Sequence, residues 1–293
     1  MCGIVGLFLK DRALEPELGG MLAGMLDVMC GRGPDSAGFA IYGDGAPGTV
    51  KLTLRGPAGT DFPALAAELR CPVTVRDTHA VLSVPEAREA EVRAALAARA
   101  PGIGVVGAGT RMELYKEVGL PAEVARRFRL ETMAGTHAIG HTRMATESAV
   151  TTDGAHPFST GPDQCLVHNG SLSNHRGVRR LLEREGLRLA TDNDSEVAAA
   201  YLTHRMRRGD TLGGALEHGL SELDGFYTFV VGTESGFGVL RDPIACKPAV
   251  MAETERYVAF GSEYRALAGL PGIGDARVWE PEPAKVYFWE RAQ

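Results

Sequence analysis

Short apolar runs near the two ends of the chain enclose a middle written at helical spacing, and that order restricts the fold more than any other feature. Residues 4–9 are apolar without alternation, as a strand covered on both faces would be. Residues 226–231, 237–240, 249–252 and 257–260 repeat this texture between tight-turn residues. Elsewhere apolar residues recur at helical steps: Leu18, Met21, Leu22, Met25, Leu26 and Met29, then Val178, Leu181 and Leu182, then Val197, Tyr201 and Leu202, then Leu212, Leu216, Leu220 and Leu223. Pro16 is placed to open the first of these helices. Strands at both ends with helices between them predict layered α and β structure. The stretch 57–130 has its own texture: a strand-like 73–84, an Ala/Arg/Glu-rich helix over 86–100, a glycine-rich turn, and a segment ending Leu114-Tyr115-Lys116. It reads as a small inserted α+β subdomain.

With 293 residues, 44% of them hydrophobic and 23% charged, the chain can bury a substantial core. A net charge of -6 without any Lys/Arg run supplies no field for nucleic acid. No apolar run reaches the roughly 18 residues of a membrane span and no signal core follows the start, so a cytoplasmic protein is expected. Five scattered cysteines, with no C-x-x-C pair, suggest neither a structural zinc nor a redox site. Cys30, Cys71, Cys165 and Cys246 read as buried thiols.

Cys2 is different, because removal of Met1 would give one residue both a thiol and a free amine. An α-amine titrates at about 7.7–8.0, which suits it to act as the base for its own thiol. Three further segments carry polar groups of interest. Arg143, in Gly140-His141-Thr142-Arg143-Met144-Ala145-Thr146, could grip a carboxylate or sit in a structural ion pair. Asn169-Gly170, after an apolar strand, could form an oxyanion hole or a tight turn. Within Thr191-Asp192-Asn193-Asp194-Ser195-Glu196 one residue is needed to cap the helix that follows, which leaves Asp194 available for an ammonium group. Gly102-Ile103-Gly104-Val105-Val106-Gly107 matches G-x-G-x-x-G but follows a helix rather than a strand, so it lacks the context of a dinucleotide loop. His137 and His141 find no third metal ligand, and no G-x-S-x-G element is present.

Cys2-Gly3-Ile4-Val5-Gly6, Arg32-Gly33-Pro34-Asp35-Ser36, Gly140-His141-Thr142-Arg143, Ala155-His156-Pro157-Phe158, His168-Asn169-Gly170 and Asn193-Asp194-Ser195-Glu196 stand in the order of one known family. The chain resembles the class II glutamine amidotransferases, which are N-terminal nucleophile hydrolases. Leu223-Asp224-Gly225-Phe226-Tyr227, Arg241-Asp242-Pro243 with Lys247-Pro248, and Gly261-Ser262-Glu263 extend the match, so that it leaves out little besides the insertion. Ala245, where family members often have glycine, and Met144, where they often have an aromatic residue, depart from the pattern without removing a reacting group.

The resemblance implies an α+β fold, a four-layer αββα sandwich over 2–293 interrupted by the subdomain at about 57–130. It implies that Cys2 attacks the side-chain amide of L-glutamine, leaving a glutamyl thioester for water to hydrolyse. Asn169 and the Gly170 N–H would stabilise the oxyanion, Arg143 would bind the α-carboxylate and Asp194 the α-ammonium. Thr146 and His168 would line the substrate pocket, with the 32–35 loop closing it. Little sequence follows Glu263, so the ammonia is expected to serve a separate synthase subunit, and the insertion to recognise such a partner. The insertion, with Gly109-Thr110-Arg111-Met112-Glu113-Leu114-Tyr115-Lys116-Glu117-Val118-Gly119, looks like stand-alone amidotransferase subunits of glutamate synthase-like systems, including N-methylglutamate synthase. No cofactor is expected on this chain, flavin or iron–sulfur centres being left to partner subunits. Two rival readings are an N-terminal cysteine hydrolase of another amide and a non-catalytic regulatory subunit. Arg143 and Asp194 weigh against the first, and the complete set of site residues against the second.

Overall fold

The computed structural model describes residues 2–145 and 149–291. In chain order its elements begin with β1 (Gly3–Leu9), α1 (Leu18–Val28), β2 (Ser36–Tyr42), β3 (Thr49–Arg55), α2 (Phe62–Leu69), β4 (Val73–Arg76) and β5 (His79–Pro85). There follow α3 (Glu89–Arg99), β6 (Gly104–Gly109), β7 (Met112–Val118), α4 (Pro121–Arg127), β8 (His137–Arg143), β9 (Phe158–Gly161) and β10 (Gln164–Leu172). Helices α5 (His175–Arg184), α6 (Asp194–Arg207) and α7 (Leu212–Glu222) precede β11 (Gly225–Gly232), β12 (Gly236–Arg241), β13 (Val250–Glu253), β14 (Tyr257–Gly261), β15 (Arg277–Trp279) and β16 (Val286–Glu290).

Two antiparallel sheets carry the fold, one ordered β15-β13-β14-β1-β8-β2-β7 and the other β16-β12-β11-β10-β9. Alternation along β1 explains how they stack, since successive side chains leave opposite faces. Val5, Leu7 and Leu9 join Leu22, Met25 and Leu26 of α1 and Val124 of α4 on one side. Ile4 and Phe8 point the other way, into a layer shared with Val167, Val230, Phe237 and Val239 of the second sheet. The outer face of that second sheet, through Leu166, Phe229, Val231 and Leu240, packs on Val197, Ala199, Leu202 and Leu216 of α6 and α7. The result is a four-layer αββα sandwich. Burial on both faces is why β1 is continuously apolar, each such side chain contributing about 1.5–3 kcal/mol.

The third sheet, ordered β4-β5-β3-β6, encloses a separate core of Leu52, Leu54, Phe62, Leu82, Val92 and Leu96 with α2 and α3. Its limits differ from the expected 57–130. It begins at β3 and ends at β6, while β7 returns to the first sheet with Met112 opposite Tyr42. Residues 121–130 pack under that first sheet through Val124, Phe128 and Leu130. The texture of 112–130 looked foreign because Glu113, Lys116 and Glu117 interrupt its apolar residues. The expected single strand over 73–84 is a hairpin, turned at Asp77 in the left-handed region at φ 54, which a short polar side chain tolerates. Pro16 lies inside a 3-10 turn, Arg12–Glu17, that precedes α1.

Two cysteine expectations are corrected: Cys71 and Cys165 are buried, but Cys30 is half-buried and Cys246 exposed. The Gly102–Gly107 motif runs into β6 and then β7, with no helix N-terminus to receive a pyrophosphate. Among the described residues no helix is long and apolar enough to cross a membrane.

Candidate active site

The site forms where three strand ends meet. Antiparallel pairing puts Gly3 of β1 opposite Thr142 of β8, so Cys2 emerges beside Arg143. The Cys2 thiol is half-buried, with Sγ 3.9 Å from the Met144 carbonyl oxygen. Its carbonyl oxygen accepts from Arg32 Nε at 3.0 Å and from Asn169 Nδ2 at 3.3 Å. Asn169 belongs to β10 in the opposite sheet, so one backbone carbonyl ties the nucleophile candidate to both sheets.

The loop after α1 fixes the end of β8. Gly33 lies against it so closely that a Cβ there would stand 2.4 Å from the Thr142 carbonyl carbon. Asp35 then brackets Met144: its N–H donates to the Arg143 oxygen at 3.1 Å, and its carboxylate accepts from the Ala145 N–H at 2.7 Å. Arg143 itself is buried, with Nη1 donating to the Ala149 oxygen at 3.4 Å.

Asn169-Gly170 is strand rather than turn, paired to Thr228 and Tyr227 of β11. Gly170 has φ +147, and a Cβ there would meet the Phe226 oxygen at 2.0 Å, so glycine is required on both counts. The pairing of β9 with β10 stops at Leu166. Strand alternation then directs the Gly170 N–H to the same edge as the Leu172 N–H, which donates to Asp194 Oδ2 at 2.9 Å. Asn193 caps α6 by accepting from the Ser195 N–H at 2.9 Å, which leaves Asp194 as its first residue, where a negative charge is favoured.

This layout has clear relatives. A family model described as a glutamine amidotransferase domain matches residues 141–269. The glutamine amidotransferase-like protein GlxB of Rhizobium meliloti (strain 1021) is 63% identical, the match covering 99% of this chain and 98% of that protein. The putative glutamine amidotransferase of Methanothermobacter thermautotrophicus is 32% identical, over 98% of this chain and 99% of its own. The solved glutamine phosphoribosylpyrophosphate amidotransferase of B. subtilis superposes with a TM-score of 0.64 at 21% identity, over 99% of this chain and 47% of that one. The chain belongs to the class II glutamine amidotransferases.

Within this amidotransferase, Cys2 lies beside Arg143 and is hydrogen-bonded to Asn169, and Asp194 meets the edge of β10 that the Gly170 N–H shares, whereas His168 holds its ring away from Cys2. Its ring points to the other side of β10, where Nδ1 meets Ser195 Oγ at 2.8 Å and lies 3.8 Å from Asp194 Oδ1. Burial lowers its pKa against the opposing pull of Asp194, which keeps the ring neutral behind the carboxylate. The expected substrate contact of His168 is therefore corrected to a buried support of α6: its neighbour Asn169 takes the site-facing position, and alternation excludes both from doing so. Thr146 lies outside the described residues.

Sequence reasoning assigned no role to Ser262 or Glu263. Ser262 exchanges two hydrogen bonds with Ile4, its Oγ accepting from the Ile4 N–H and its own N–H donating to the Ile4 oxygen, both 2.9 Å. Glu263 pairs at 2.5 Å with Arg32 and with Arg265. The Arg32 hydrogen bond, ahead of the burial that opposes it, holds the Glu263 carboxyl below its usual range. Arg32 is thereby braced against the Cys2 carbonyl. The signal was a serine and a carboxylate directly after an apolar strand end.

Proposed function

We propose that this amidotransferase hydrolyses L-glutamine to glutamate and ammonia through a Cys2 thioester and passes the ammonia to a separate synthase subunit. After Met1 is removed, the Cys2 amine takes the thiol proton as Sγ attacks the amide carbon. The negative charge on the former carbonyl oxygen is received by Asn169 Nδ2 and the Gly170 N–H. Collapse of this intermediate breaks the C–N bond, and the amine returns the proton to the leaving ammonia. Water, deprotonated by the same amine, then cleaves the thioester and regenerates the thiol. Arg143 holds the α-carboxylate and Asp194 the α-ammonium, which selects an α-amino acid.

One observation carries this reading: the Cys2 carbonyl lies 3.3 Å from Asn169 Nδ2, although the two residues are 167 positions apart. That the synthase is a separate chain fits two relatives matched over 98 and 99% of their own length, and its assignment to a glutamate synthase-like or N-methylglutamate synthase complex rests on the resemblance of the insertion alone. The four-stranded sheet is the element we assign to partner recognition. Intact mass of the purified chain tests the mechanism, because active protein that keeps Met1 defeats it. Turnover of glutamine against other amides tests the substrate. Co-purification tests the partner: a flavin-containing synthase supports the assignment, and an ATP-using one redirects it.

A further inference from the structure

Strand β7 carries two buried ionisable residues, Lys116 and Glu117, that the proposed reaction does not use. Being adjacent in a strand, they leave opposite faces, yet both hold the same segment, 149–155, which follows the Arg143 strand. Lys116 Nζ donates to the Asp153 oxygen at 3.1 Å and the Ala155 oxygen at 2.8 Å, and sits 4.5 Å from the centre of the Phe158 ring. Glu117 accepts from Thr152 Oγ1 on one oxygen and from Thr78 Oγ1, at 3.1 Å, on the other. Thr78 closes the β4–β5 turn of the third sheet, and its carbonyl takes the Gly56 N–H at 2.9 Å. Arg55, at the end of β3, adds an ion pair to Asp153 at 3.6 Å.

The clamped segment in turn borders Arg143. Ala149 accepts from Arg143 Nη1, and a Cβ on Gly154 would stand 3.4 Å from the same nitrogen. A shift of 149–155 therefore displaces the wall against which the guanidinium rests. Burial pushes the Glu117 carboxyl up, but the hydrogen bonds from Thr152, Val118 and Thr78 outweigh it, so the group is held as a carboxylate.

We propose that Glu117 is a positioning residue for substrate binding: it locks 149–155 against Arg143 and links that lock, through Thr78, to the third sheet. A partner seated on that sheet would then alter glutamine affinity without touching the site. The inference rests on Arg143 binding the substrate α-carboxylate, as proposed above.

The test uses the full chain and reads alkylation of the Cys2 peptide by mass spectrometry with two reagents. One is a diazoketone analogue of glutamine that keeps the α-carboxylate, and the other is iodoacetamide, which has none. For Glu117→Gln, the half-saturating concentration of the analogue should rise about tenfold, as loss of charge-assisted hydrogen bonds implies, with the maximal labelling rate and the iodoacetamide rate within about twofold of the parent. Thr152→Val, which breaks the lock from the loop side, should raise the same concentration by a similar factor, and Thr78→Val by a smaller one. Unchanged half-saturation in Glu117→Gln, or in Thr152→Val if the first variant does not fold, overturns the lock. An equal slowing by both reagents overturns it as well, because the effect would then lie on Cys2. Failure of the analogue to label Cys2 in the parent chain removes the functional reading itself, and the lock with it.

Discussion

Around Cys2 the buried side chains include Arg32, His141, Arg143, His156, His168 and Asn169, whereas the third sheet closes over Leu52, Leu54, Phe62, Leu82, Val92 and Leu96. Arg32 Nη2, both ring nitrogens of His156 and His168 Nε2 are buried without a hydrogen-bond partner among the described residues. Where burial leaves a polar group unpaired it costs about 1–3 kcal/mol, a cost that purely apolar side chains do not carry. Stability alone would not select the first arrangement. Under the function proposed above, this end of the sandwich must hold polar groups in place for a small substrate, and the surrounding three apolar layers offset their cost. The third sheet carries such atoms too, on Arg55, Arg76 and His79, but at the ends of its strands, and the cluster it closes over is apolar.

Matched substitutions in the two regions should separate chemistry from packing. The largest difference is expected between cysteines. Cys2→Ala should lower glutaminase turnover by roughly 10³-fold or more, as loss of a nucleophile does, and unchanged turnover would sink the mechanism. Cys71→Ala, buried beside α2 in the third sheet, should leave turnover nearly as it was. Next comes Asn169→Ala, for which a fall in kcat of about 10²–10³ is expected from loss of one oxyanion donor. A rise in KM with kcat unchanged would reassign Asn169 to ground-state binding.

Leu54→Ala should destabilise by about 2–5 kcal/mol through the cavity it leaves. Hydrogen exchange should then show early opening of β3, β5 and β6 while β1 and β8 stay protected. Opening of both regions together would mean that they form one cooperative unit. A subtler contrast lies in pH. Burial lowers His79 of the third sheet to about 4, and His137 and His141 of the sandwich to about 3. Folded values below the unfolded one mean that the unfolded chain binds protons first, so stability is full above about 6.5 and declines as pH falls. The decline from His79 should be complete near pH 4, and that from the two sandwich histidines should continue toward 3. Urea midpoints that stay level from pH 7 to 5 would show that these rings are not buried neutral.

Much of the sandwich was readable because its strands and helices bury whole faces. The run 4–9 announces a doubly covered strand, and the steps from Leu18 to Met29 announce α1. The boundary of the third sheet was not readable, because Met112 to Val118 mixes apolar and charged residues and its partner strand β2 lies far back in the chain. Asn169-Gly170 has the composition of a turn and is strand because β11 pairs with it. His168 could not be separated from its neighbour until the faces of β10 were known.

By itself, then, the order of residues determined the layered fold class and the chemical types gathered for the site: a thiol at position 2, a guanidinium, an amide with a glycine and a carboxylate. Those follow from local periodicity and side-chain chemistry, which a chain carries at every point. Tertiary structure alone decided which of them meet, that Asn169 rather than His168 faces Cys2, and that Lys116 and Glu117 brace the segment beside Arg143. Such choices depend on strand register and on contacts between distant segments, and in a strand a shift of one residue exchanges the two faces.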